Sequence, residues 1–244
     1  TDGHLVMAYL FLKAQGLAGK PVADIRIDGA GKKVTRSDNC RVSDLSVSSD
    51  TLTFTYEAKS LPYPIDTSYY DNEKHTQADA LSVIPFMDEM NYEGLSVSGL
   101  SDGYYGLTIG GEFIGRFTAR ELERGINMAL LQNTPQYKQA MKIRQMNEER
   151  WLKERKMREF YWVEYNLMRK TGMLWACNEA AVDTLRKYRP HDIFLQWNGD
   201  LWLQYMHKGI REDCVNEQQD LVNQIYEQNK PIPLRIEIKK FTDL

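Results

Sequence analysis

The sequence predicts an α+β protein, and three changes of hydrophobic period predict it. Residues 4–15 carry apolar side chains at helical spacing. From Val22 to about Phe117 the period is two and the breaks hold glycine. From Thr118 onward helical patterning returns, with one helix of unusual length. Four stretches follow: a helix at 1–20, a small antiparallel β layer at 21–118, a mostly helical region at 119–232, and a strand at 233–244 that returns to the β layer.

Taken in order, the first helix places Leu5, Ala8, Tyr9 and Leu12 on one face, widened by Val6, Leu10 and Phe11. A helix apolar nearly all round packs between two layers. Asp2 can cap it, and Gly16, Gly19 and Pro21 end it. "ADIRIDGAGKKV" predicts a hairpin around Asp28-Gly29. "TLTFTYEA" alternates Leu52, Phe54 and Tyr56 with polar residues, the pattern of a half-buried strand. "SLPYPIDTSYYDNEKHT" reads as a loop. "LSVSGL" and "YYGLTIGGEFIGRF" give further strands, the last two joined at Gly110-Gly111. Thr118 with Glu121 forms a capping box. Thr134-Pro135 then opens a helix expected to reach Thr171-Gly172, roughly 55 Å at 1.5 Å per residue. "RPHDIFLQWNGDLWLQYMHKG" is dense in aromatics and reads as broken at Asn198-Gly199. "PIPLRIEIKKF" alternates Leu234, Ile236 and Ile238 with charges, as an amphipathic strand does.

Composition excludes several classes. A net charge of -3 gives no bulk attraction to nucleic acid or an anionic membrane. The longest apolar run, Leu5 to Leu12, is far short of the roughly 20 residues a membrane span needs. Cys40, Cys177 and Cys214 are odd in number and lack CxxC spacing, which predicts buried free thiols. Aromatics make up 11% of the chain, enough for a binding surface as well as a core.

Few residues carry a chemical signature. His4, His75, His191 and His207 have no ligand spacing, so no metal and no cofactor is expected. Asp2 and His4, at the head of a helix, could form the base half of a serine-hydrolase site. Asn127, in "GIN", suits either an oxyanion contact or helix packing. Trp197, Trp202, Tyr69 and Tyr70 are the candidates for substrate binding, since sugars stack on exposed rings.

Two stretches resemble one family. "TDGHLVMAYLFLKAQGL" looks like the last helix of SGNH (GDSL-type) hydrolases, in which a Gly-His pair opens such a helix. "PFMDEMNYEGLSVSGLSDGYYGLTIGGEFIGRFTARELERGINMALLQNTPQYKQA" resembles the C-terminal extension of a bacterial subgroup of that family. Gly125-Ile126-Asn127 and Thr134-Pro135 match its pattern outright, and Ile109-Gly110-Gly111 takes the place of Ile-Asp-Gly. The resemblance covers residues 1–17 and about 83–170.

The resemblance implies that residues 1–20 are the terminal helix of a flavodoxin-like core. It also implies a Ser-His-Asp ester hydrolase whose D-x-x-H-P block is expected immediately before Thr1. His4 then falls on the non-catalytic Gly-His position, and the serine and oxyanion blocks are also expected upstream. Acylated carbohydrate or another ester is the implied substrate, and a periplasmic or secreted location the implied compartment. Two other roles fit the same residues: a carbohydrate-binding module built on the aromatics, and a structural module whose long helix sets a homo-oligomer.

Overall fold

The computed structural model describes residues 2–67 and 75–241. The chain forms two compact units, residues 1–142 with 228–244, and residues 143–227. The class is α+β, with antiparallel sheets and one long helix.

The first unit opens with α1 (Asp2–Ala14). Its Leu5 and Tyr9 pack against Ile65, Ala80, Ile84 and Phe86. The Tyr9 hydroxyl donates to Glu89 at 2.7 Å, and Lys13 donates to the same oxygen at 2.7 Å. The opposite face is apolar and open: Met7 is 61%, Leu10 57% and Phe11 66% exposed. The sequence expects this helix to be buried between two layers, and only one layer covers it here.

Strands follow at β1 (Ala23–Asp28), β2 (Lys33–Asp38), β3 (Cys40–Val47) and β4 (Thr51–Ala58). The β1–β2 turn forms where expected, but Lys32 (φ 51°), not Gly29, takes the left-handed conformation. Asp28 closes it by accepting the Gly31 N–H at 2.8 Å. After a short helix α2 (Phe86–Glu89) come β5 (Glu93–Ser98), β6 (Tyr104–Ile109) and β7 (Glu112–Thr118). Gly110 and Gly111, at φ 60° and 85°, make the two-residue turn between β6 and β7 that only glycine adopts without strain. Helix α3 (Ala119–Arg124), β8 (Ile126–Asn127) and β9 (Leu234–Lys240) complete the unit.

These strands form two sheets, ordered β2-β1-β5-β8 and β3-β4-β9-β6-β7. Only β1 and β5 run parallel among the described pairs, so a flavodoxin-like sheet is not part of the described residues. Alternating residues of these strands face one shared core: Ile25 and Ile27, Leu52 and Phe54, Leu107 and Ile109, Ile236 and Ile238. Each such side chain, fully buried, gains about 1.5–3 kcal/mol over exposure before entropy is counted.

Long helix α4 (Pro135–Val163) has 29 residues and passes without a break into a π turn over Glu164–Met168. The wider turn is visible in the Arg169 N–H bonded to the Glu164 carbonyl at 2.8 Å. The helical pattern read to residue 172 thus ends four residues earlier, in a changed geometry. The sequence places the change to helix at 118/119, whereas the units divide at 142/143. The reason is that Ala119, Leu122 and Met128 are buried in the sandwich core, and Tyr137 on α4 bonds the Ile65 carbonyl at 2.9 Å.

The second unit adds α5 (Glu179–Tyr188), α6 (Ile193–Tyr205) and α7 (Lys208–Gln228), the last reaching back into the first unit's residues. Its core joins Phe160 and Val163 to Leu185, Leu195, Trp202 and Cys214. Helix α6 is not broken at Asn198-Gly199. Asp192 caps it by accepting the Phe194 N–H at 2.8 Å. Gly199 leaves room for the Arg189 side chain, whose Nε would lie 3.1 Å from an added Cβ. Arg189 reaches on to Asp200 through two bonds of 2.7 Å. Cys40 and Cys214 are buried free thiols as expected, and Cys177 is free but exposed.

The capping box is reciprocal: the Glu121 N–H donates to Thr118 Oγ1 at 3.1 Å, and the Thr118 N–H to Glu121 Oε2 at 2.7 Å. Thr118→Ala should therefore cost about 1 kcal/mol. Urea unfolding should show it as a lower midpoint at unchanged slope.

Candidate functional site

The residues singled out from sequence fall in different surroundings. His4 is exposed on α1. Tyr69 and Tyr70 lie outside the described residues. Asn127 is fully engaged as a staple. Its Oδ1 accepts the backbone N–H groups of Glu93 (2.9 Å) and Ala129 (3.1 Å), and its Nδ2 donates to the carbonyls of Met87 (3.0 Å) and Asn91 (3.2 Å). All four of its hydrogen-bonding positions are used within the protein.

The two tryptophans of α6 part company. Trp197 is 66% exposed, while Trp202 is fully buried. Five residues apart, they lie about 140° apart around the helix, at 100° per residue. Trp202 offers no face to a ligand. Instead its indole N–H donates to Glu164 Oε1 at 2.8 Å, and Glu164 Oε2 accepts the Trp175 N–H at 2.8 Å. Glu164 is itself buried and sits in the π turn, a feature found often at functional sites. Trp175 takes a left-handed backbone (φ 62°), a conformation that costs a non-glycine residue about 1–2 kcal/mol. The buried carboxyl holds it there.

Around this anchor the second unit displays two aromatic arrays. Trp175 meets Tyr161 and Tyr165 edge-on, at ring distances of 5.9 and 5.8 Å. The Arg211 guanidinium lies 4.8 Å from the Phe160 ring centre, and Arg211 also lines an open groove of about 550 Å³ with Met157 and Tyr161. The other array runs Trp162–Phe194–Trp197 at 5.3 and 5.6 Å. Beside it is a cavity of about 370 Å³ lined by Trp162, Asn166, Lys170, Tyr188 and His191. That volume suits a small ring-bearing ligand.

Rings, an amide and cations can stack and orient a ligand, but they do not make a nucleophile. Cys177 Sγ lies 3.4 Å from His207 Nδ1, with both side chains exposed, and among the described residues no carboxylate is hydrogen-bonded to that imidazole. Among the described residues, no three His, Cys, Asp or Glu side chains converge as metal ligands. No described helix is long and apolar enough to cross a membrane.

Sequence reading passed over Glu164 and Trp175. The signal was there: Glu164 is the lone charged residue in "FYWVEYNLM", a stretch otherwise apolar or aromatic but for Asn166.

Comparison with known proteins adds a direction. Residues 141–230 match the family described as the diltiazem deacetylase C-terminal helical domain. A solved gut microbial diltiazem-metabolizing enzyme is 39% identical over 98% of this chain, with a TM-score of 0.92. The chain spans 54% of that enzyme's length. No curated protein matches the chain. Both aromatic arrays and Glu164 lie inside the matched helical domain.

Substitution should separate the two tryptophans. Trp202→Phe removes the donor to a buried carboxyl and should cost about 2–3 kcal/mol, from an unpaired acceptor and a small cavity. Trp197→Ala should stay within about 0.5 kcal/mol of the parent. Thermal unfolding of both variants checks this.

Proposed function

We propose that this chain is the C-terminal portion of a carboxyl-ester hydrolase of the Ser-His-Asp, SGNH type, whose reactive groups lie in a core outside residues 1–244. The observation that carries the reading is the likeness, over 98% of this chain, to an enzyme of which it spans 54%. The matching family's description names a deacetylase, and deacetylation releases an acyl group. The Gly3-His4 helix and the "GIN…TPQ" pattern support the SGNH type. The open apolar face of Met7, Leu10 and Phe11 supports a further layer on α1, since exposed apolar patches mark interaction surfaces.

In this reading the serine oxygen attacks the acyl carbon while the histidine takes its proton, and the aspartate holds the imidazole. The alcohol leaves with that proton, and water then releases the acid. The residues of this chain contribute scaffold and surface rather than proton transfer. O-acetyl esters are the substrate class, with acylated carbohydrate as the natural ester and the carbohydrate hydroxyl as the alcohol released, met outside the cytoplasm.

A second reading, a glycan-binding module, is favoured by the exposed Phe194 and Trp197 rings, which stack on from the half-buried Trp162. Trp197→Ala would then weaken retention on polysaccharide gels.

Residues 1–244 alone should leave an aryl acetate unhydrolysed. The same chain joined to its natural upstream sequence should hydrolyse it and be silenced by a serine-directed phosphonate. Phosphonate-sensitive turnover by residues 1–244 alone overturns the proposal.

A further inference from the structure

The sandwich core holds one acid that none of the chemistry above uses. Glu93 opens β5 in register with Leu95 and Val97, so period two turns its side chain inward with theirs. It is fully buried, as are Tyr56 and Gln136 beside it. One carboxyl oxygen, Oε1, accepts the Tyr56 hydroxyl at 2.8 Å and the Gln136 Nε2–H at 3.3 Å. The other, Oε2, has no partner among the described residues, and neither does Gln136 Oε1.

The groups facing Glu93 are neutral. Tyr56 reaches it from β4, with a hydroxyl held protonated well above its usual range by burial and by Glu93. Beyond Tyr56 is the Cys40 thiol of β3, pushed up by burial. Gln136 comes from the first turn of α4, and Asn127 on β8 meets only the Glu93 backbone. Neighbouring β1 sets Ala23 opposite Glu93, and β1's Asp24 is ion-paired with Arg26 and Arg36. No cation faces the carboxyl among the described residues. A buried charge with no counter-ion is expensive, and two acceptors left facing one amide–carboxyl contact call for a single hydrogen.

We propose that Glu93 is a carboxylic acid in the folded protein, its Oε2–H donating to Gln136 Oε1 in a cyclic acid–amide pair, and that this proton pins the first turn of α4 to the sandwich. The proton supplies the one donor both orphaned oxygens lack. Loss of it leaves a carboxylate with two donors on one oxygen and an amide oxygen with none. The first turn of α4 is where the chain sets out towards residues 143–227, so the pair makes that departure sensitive to pH.

Burial raises the Glu93 pKa from 4.5 to about 7. The folded state therefore keeps a proton that the unfolded state gives up near 4.5. The stability this lends is complete below that value and is lost as pH rises through about 7. Between pH 5 and 8 the folding constant should fall on the order of a hundredfold through this group.

Glu93→Gln tests it, because an amide donates to Gln136 Oε1 as the acid does. The variant should match or exceed the parent's stability at pH 8 and lose the parent's fall between pH 5 and 8. Amide exchange at residues 136–142, corrected for its intrinsic pH dependence, should quicken in the parent above pH 7 and not in the variant. A variant markedly less stable than the parent at pH 8, or unable to fold, overturns the proposal. So does an ordinary carboxylate titration of Glu93 in the unaltered chain, followed by carbon-13 NMR of labelled glutamate; a midpoint near neutrality supports it.

Discussion

The structure depends on strand β9. It pairs with β4 on one side, from Thr51↔Lys239 to Tyr56↔Leu234, and with β6 on the other, from Tyr105↔Lys240 to Ile109↔Ile236. Without it the five-stranded sheet is two separate hairpins. Its Ile236 and Ile238 also lie at the middle of the core shared with the other sheet. The chain must therefore leave the first unit after residue 142 and return at 228. Gln139 fastens the return, donating from Nε2 to the carbonyls of Gln228 and Lys230 at 2.8 Å each. The helical unit is thus an excursion from a sandwich that closes only on its last strand.

Among the described residues each unit also buries one glutamate, with opposite solutions. Glu164 gives one N–H donor to each oxygen, from the Trp175 backbone and the Trp202 indole, and in doing so fixes a strained residue at the centre of an aromatic array. Glu93 places both donors on a single oxygen. The first arrangement suits a carboxyl that shapes a surface, the second a carboxyl that stores a proton. Neither exposes its oxygens to a ligand.

Local patterns were the legible part of the fold. Gly110-Gly111, the Thr118–Glu121 box and Thr134-Pro135 each depend on residues within a few positions of one another, and each forms as written. Strand β3 was not legible. Only Cys40 among its residues is buried, and its pairing with β4 is interrupted between Ser43 and Ser46, so the alternation changes phase in mid-strand, between Val42 and Leu45. The unbroken α6 was hidden because Gly199 serves Arg189, which packs in from ten residues earlier. For the candidate site, aromatic density drew attention to "FLQWNGDLWLQYMH", yet density does not say which helix face a ring occupies. Trp197 and Trp202 were separable only once the turn of α6 was counted. Glu93 was open to the same counting, since the strand period groups it with Leu95 and Val97.

The late position of β9 bears on how the protein is made. As a nascent chain emerges from the ribosome, β4 and β6 are available long before residues 234–240, and each presents an unsatisfied sheet edge beside apolar side chains. Translation at about 5–20 residues per second leaves those edges open while all of residues 143–227 are added. The helical segment, with contacts closer along the chain, can settle first. Protection of the half-built sandwich from strand exchange with neighbouring nascent copies is then a matter of timing, set by the length of the helical detour.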